Sequence, residues 1–119
     1  MEQFREINAS GGRLNMALGA VHQVAAIALI AVIVFGDVAS ASDGVKRLVA
    51  FASVLGAITS WIFVSNALKA FQDGYKDLSP QEAASAYGKT AAKQPWMVYQ
   101  LYTLVVTVAT IFVTITAIY

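Results

Sequence analysis

His22 is the residue of this chain best equipped for chemistry, and it is the single histidine. It lies beside Gln23 in a run with no acidic or basic residue between Leu14 and Phe35. In such surroundings an imidazole ring nitrogen can ligate a haem iron or a chlorophyll magnesium, or it can hydrogen bond between helices. Other chemistry is scarce. There is no cysteine, which removes disulfides, thiolate metal sites and thiol catalysis. One histidine does not build a typical zinc site. Asp37, Asp43, Asp73, Asp77 and Glu82 fall between the apolar runs, where carboxylates solvate and cap. No serine–histidine–aspartate set is spaced to converge, and no glycine-rich phosphate loop occurs. The expectation is a non-enzyme with no catalytic residue and no metal. His22 is its one candidate cofactor ligand, for haem or chlorophyll.

Two further patterns suit helix packing. Trp96, Tyr99, Thr103, Thr107, Thr110, Thr114 and Ala117 follow steps of 3, 4, 4, 3, 4 and 3, and so share one helical face. A threonine stripe between Val, Ile, Leu and Phe flanks predicts a packing seam, its hydroxyls bonding across or back to their own backbone. Its alternative is a hydroxyl-lined pore made by several copies. Ala52-x-x-x-Gly56-x-x-x-Ser60 is a small-residue ladder, broadened by Ser53 and Ala57, that permits close approach of another helix. The run around His22 is rich in alanine and holds Gly19, again suited to close packing.

The elements that must position these residues follow from three apolar runs, about Leu14–Phe35, Val45–Leu68 and Trp96–Tyr119. Each, as a helix, is long enough to cross about 30 Å of hydrocarbon. Hydrophobic residues make up 58% of the chain and charged ones 13%, about half the charge usual in a soluble domain. All fifteen charged residues lie in tails, connections or helix ends. The expected fold is all-α: one integral membrane domain over residues 1–119, with spans at about 14–35, 45–68 and 96–119 and polar connections at 36–44 and 69–95.

Residues 1–12 read as a short interfacial helix, Phe4 and Ile7 dipping into the headgroups, with Gly11–Gly12 as a flexible joint before the first span. Ser42 or Asp43 is a candidate cap for the second helix. Ser79–Pro80–Gln81–Glu82 has the pattern of a capping box opening a short interfacial helix from Pro80 to Tyr87, with Gly88 as its stop. Pro95 opens the third span, with Trp96 and Tyr99 at an aromatic belt. Arg5, Arg13, Lys69, Lys76, Lys89 and Lys93 would share one side, against Lys46 and Arg47 on the other. Six against two places the N-terminus in the cytoplasm and the C-terminus on the opposite side.

Four family comparisons bear on function. Ala39-x-Ala41 has the form of a signal-peptidase site, and cleavage there would leave a two-span chain that resembles the pilin of conjugative secretion systems. The first run, about 20 residues, exceeds the usual leader core of about 7–15 and is read as a true span. Light-harvesting polypeptides have an alanine four residues before their ligand histidine, where this chain has Leu18. The succinate dehydrogenase anchors share three spans and a haem histidine, but their second-span ligand pattern has no counterpart here. Phage holins of one type are similar in size and span count, and usually end in a charged tail, where this chain has Tyr119. A net charge of +1 gives no footprint for nucleic acid. The expectation is a small structural or assembly subunit whose partners are the lipid bilayer and other membrane subunits or copies of itself. Its alternatives are an oligomeric pore former and a haem- or pigment-binding subunit.

Overall fold

The computed structural model describes residues 2–119, apart from the side chains of Glu2, Phe4 and Asn8. The expected insertion of Phe4 therefore lies outside the described residues. Five α-helices follow in order: α1 (Glu2–Phe35), α2 (Asp43–Lys76), α3 (Pro80–Ala84), α4 (Ala86–Ala92) and α5 (Trp96–Ile118). A 3-10 turn, Val38–Ser40, joins α1 to α2. Among the described residues there is no strand. Three helical segments, Arg5–Phe35, Asp43–Lys76 and Trp96–Ile118, are long and apolar enough to cross a membrane.

α2 is the central helix. It packs antiparallel along α1 and, on another face, against α5, while α1 and α5 touch each other little. The three meet at one end, where Ile33, Val38 and Ile118 form a buried cluster over Leu29, Val49 and Ala50. The turn at this end reverses the chain through Asp37, whose φ of 50° is left-handed, a conformation that Asp tolerates better than most residues. Lys46 lies 6.0 Å from the centre of the Tyr119 ring, so α5 ends beside the start of α2.

α1 and α2 each run 34 residues, about 51 Å at helical rise, against about 35 Å for the 23 residues of α5. The molecule is 61 Å long. Both long helices pass beyond the start of α5, and α3 and α4 sit beside that overhang.

Three local expectations are corrected. Gly11–Gly12 is no joint, because α1 runs through it unbroken. The helical cost of glycine, about 1 kcal/mol, is offset at Gly12 by packing: it is buried, and a Cβ there would lie 2.9 Å from Phe71 Cε1. The second helix continues to Lys76 rather than stopping near Leu68. The connection holds two short helices instead of one from Pro80 to Tyr87. Ser79 and Glu82 do form the reciprocal capping box that opens α3. The chain then breaks at Ser85, whose hydroxyl accepts from Gly88 N–H and caps α4. Gly88 is thus inside α4, pressed so closely on the Glu82 and Ala83 carbonyls that a Cβ would overlap them.

Candidate functional site

Because α1 and α5 both pack on α2 but hardly on each other, a groove runs between them with α2 as its floor. It opens as three successive crevices. The first, about 90 Å³, is bordered by His22, Ala25, Ala26, Leu29 and Ile30 of α1, Ala52, Ser53 and Gly56 of α2, and Thr110 and Thr114 of α5. The second, about 100 Å³, lies between Gln23, Ala57, Ser60, Thr107 and Thr110. The third, about 60 Å³, adds Trp61, Tyr102 and Thr103. All eight residues singled out in the sequence, His22, Ala52, Gly56, Ser60, Thr103, Thr107, Thr110 and Thr114, border this one groove. None of the crevices approaches the roughly 300–1,000 Å³ of a small-molecule pocket.

Of the two glycines at the α1–α2 contact and on the small-residue ladder, Gly19 is tightly packed and Gly56 is not. A Cβ at Gly56 would meet nothing within 4 Å. The tight point is Gly19, where a Cβ would come 2.7 Å from Val64 Cγ2. Beside it Ser60 Oγ points at the Gly19 carbonyl at 3.4 Å, a long contact. Gly19 therefore sets the α1–α2 spacing, and Gly56 leaves space on the groove floor.

The hydroxyls of α5 turn inward on their own helix. Thr107 Oγ1 donates to Thr103 O at 2.8 Å and Thr110 Oγ1 to Val106 O at 2.8 Å. Thr103 donates to Gln100 O at 2.9 Å. Thr114 is buried, and it borders the first crevice together with residues of α1 and α2. Back-bonded threonines present methyl groups to their neighbours.

One polar clasp crosses from α2 to α5, and sequence reasoning missed it. Ser65 Oγ donates to Gln100 Oε1 at 2.8 Å, and Gln100 Nε2 donates to Ser65 O at 3.2 Å. Its signal was depth: Ser65 lies near the end of the second apolar run and Gln100 near the start of the third, so antiparallel helices bring them level.

His22 and Gln23 differ sharply. His22 Nδ1 lies 2.8 Å from the Leu18 carbonyl. That oxygen can only accept, so Nδ1 carries a proton, and in the neutral ring the lone pair is on Nε2. The ring tilts against Phe63, with centroids 5.2 Å apart. Gln23 borders the second and third crevices, is exposed and makes no hydrogen bond among the described residues. Those residues also contain no cluster of three His, Asp or Glu placed to hold a metal.

At the overhanging end charge organises the structure. Arg5 Nη1 of α1 pairs with Glu82 Oε1 of α3. Glu82 Oε2 accepts from the Ser79 N–H at 2.8 Å. The bonds with Ser79, aided by the Arg5 guanidinium, lower the Glu82 pKa from 4.5 to about 2. A hollow of about 170 Å³ separates α1, α2 and α4 here, bordered by Arg5, Ala9, Phe71, Gly74, Leu78 and Tyr87. At the start of α5, Tyr99 donates to Gln94 Oε1 at 2.7 Å and stands edge-on to Trp96.

Compared with protein-family models, curated proteins and solved structures, the chain matches none.

Proposed function

We propose that this chain is a non-catalytic integral membrane subunit with a structural or assembly role in a larger membrane complex. It forms one domain that crosses the bilayer three times. The observation that carries this reading is the surface left after folding. Only 11% of the most apolar 18-residue window of each long helix is buried. Ile27, Val34, Leu48, Phe51, Leu101 and Phe112 stand more than half exposed. A monomeric soluble protein rarely exposes an apolar patch larger than about 300–600 Å². Three parallel stripes of this kind instead suit hydrocarbon, or hydrocarbon and neighbouring helices. α3 and α4 then lie at the interface on the side of the six basic residues, which is the cytoplasmic side by the positive-inside rule. Small residues at the α1–α2 contact and back-bonded threonines on α5 support a packing role over a water-lined path.

A second reading rests on His22. Its Nδ1 is bonded to Leu18 O, so Nε2 remains available to a haem or chlorophyll metal. The crevice beside it is too small to enclose such a group, which would have to lie on the outer face of α1 against another chain. An absorption spectrum of the purified complex that does not change with His22→Ala would remove this reading.

Gentle detergent extraction from the native membrane, followed by mass spectrometry of the co-purifying proteins, tests the main proposal. A fixed set of other membrane proteins is expected. Recovery of this chain alone would overturn the subunit role.

A further inference from the structure

Trp61 carries a buried donor: its indole Nε1–H makes no hydrogen bond among the described residues. It lies within the second apolar run. On the three-span reading, on which this inference rests, no lipid group at that depth accepts a hydrogen bond. A buried N–H left unpaired is costly, and folded proteins nearly always supply it with a partner. Polar groups from all three long helices surround the same place. Trp61 borders the third crevice together with Gln23 of α1, Ser60 of α2, and Thr103 and Thr107 of α5. Gln23 makes no hydrogen bond among the described residues, so a second donor and a carbonyl oxygen stand open there. The hydroxyl hydrogens of Thr103 and Thr107 are committed to Gln100 O and Thr103 O, which leaves both hydroxyl oxygens able to accept. Ser60 Oγ has the same capacity, its contact with Gly19 O being long at 3.4 Å.

We propose that the third crevice is an internal hydration site, in which water accepts from Trp61 Nε1–H and bridges it to the Gln23 carboxamide and to the hydroxyl oxygens of α2 and α5. Two arguments select water. The first is size. The crevice offers about 60 Å³, enough for water, which needs about 10–15 Å³, and far below the roughly 300 Å³ of a small-molecule pocket. The second is complementarity. Its wall presents donors, the Trp61 and Gln23 N–H groups, and acceptors, Gln23 Oε1 with the Ser60, Thr103 and Thr107 oxygens. Water meets both kinds at once, with the several polar partners that hold a buried water in place. An acyl chain meets neither kind, and a carbonyl compound meets only the donors. The site also gives α1 a link to α5, two helices that touch each other little. Because Thr103 and Thr107 keep their hydrogens on their own helix, the water is a local structural ligand and not the start of a path.

The chain has two tryptophans, so Trp96→Phe assigns their indole signals. Trp96 Nε1 is also buried and unpaired among the described residues, but Trp96 borders none of the three crevices. The full-length chain, isotopically labelled at tryptophan, is placed in nanodiscs of deuterated phosphatidylcholine and phosphatidylglycerol. The Trp61 indole proton is expected to show nuclear cross-relaxation with water. An impermeant gadolinium chelate in the buffer should leave that indole signal unbroadened. Gln23→Leu removes the bridging amide and is expected to abolish the water peak. In the Trp96→Phe background it should also shift Trp61 emission to shorter wavelength. Unchanged thermal unfolding of Gln23→Leu separates a lost site from a lost fold, and the wild-type water peak decides the matter if that variant does not fold. No water peak in the wild type, a direct contact between the Trp61 indole proton and the Gln23 side chain in place of one, or a water peak indifferent to Gln23→Leu would overturn the hydration site while leaving the membrane reading intact. Broadening of the Trp61 signal by the chelate would put the indole in bulk water and overturn both.

Discussion

The two ends of this molecule are held together by different physics. At the overhanging end the contacts are those of a water-facing protein: a capping box at Ser79 and Glu82, the Arg5–Glu82 ion pair, and Ser85 capping α4. Along the apolar body there are no ion pairs among the described residues, and the hydroxyls of Ser53, Thr59, Thr107 and Thr110 all donate to carbonyls one turn back. Where water competes for every hydrogen bond, charge and capping add specificity to short helices. Where it does not, polar groups are satisfied locally, and shape decides which helices approach. Gly19 and Gly88 show the same device, a missing Cβ at a close contact, in both regimes.

The comparison breaks most visibly at Gly19, with Gly56 as its counterpart in open space. Gly19→Ala drives a methyl into Val64, a β-branched side chain on a helix, and is expected to destabilise the α1–α2 pair by about 1–3 kcal/mol. Gly56→Ala, two turns along the facing helix, meets open space and is expected to be neutral or stabilising by up to about 1 kcal/mol. Unfolding midpoints in detergent compare the two directly, and equal effects would mean that the Gly19 contact does not set the helix spacing.

Next in size is the α2–α5 clasp. Gln100→Leu removes both bonds to Ser65 and is expected to cost about 1 kcal/mol. The loss should fall on α5 alone, seen as faster amide exchange in α5 with α1 unchanged.

At the polar end the effect is smaller, because the Arg5–Glu82 pair is partly solvent-exposed and such pairs contribute little. Folding lowers the Glu82 pKa from 4.5 to about 2. Its stabilisation is therefore complete above pH 4.5 and lost as the pH falls through about 2. The protection of the α3 amides, relative to their intrinsic exchange rate at each pH, should hold steady down to about pH 4 and fall below it. Glu82→Gln should remove that pH dependence. The smallest effect is expected for Thr107→Val and Thr110→Val, within about 0.5 kcal/mol, since each hydroxyl bonds only its own helix.

The apolar body was legible from periodicity and composition, because in such segments nearly every residue votes for the same element. His22, the small-residue ladder and the threonine stripe were legible as faces, and the structure brings them to one groove. What escaped was register. Which glycine touches, Gly19 or Gly56, depends on how α1 is set along α2, and neither sequence pattern encodes that offset. The Ser65–Gln100 clasp needs the same information. The polar end was misread for another reason. Gly12 and Gly88 carry the usual signature of a joint or a stop, but tertiary packing against Phe71 and the α3 carbonyls keeps each inside a helix.

The central claim, three crossings with the two connections on opposite sides, is tested most directly by membrane-impermeant thiol labelling of single cysteines placed in a chain that has none. Ser40→Cys in the first connection and Lys89→Cys in α4 should label from opposite sides of sealed vesicles, Lys89→Cys from the cytoplasmic side, while Ile58→Cys stays unlabelled from both. Labelling of Ser40→Cys and Lys89→Cys from the same side, or ready labelling of Ile58→Cys, would contradict it.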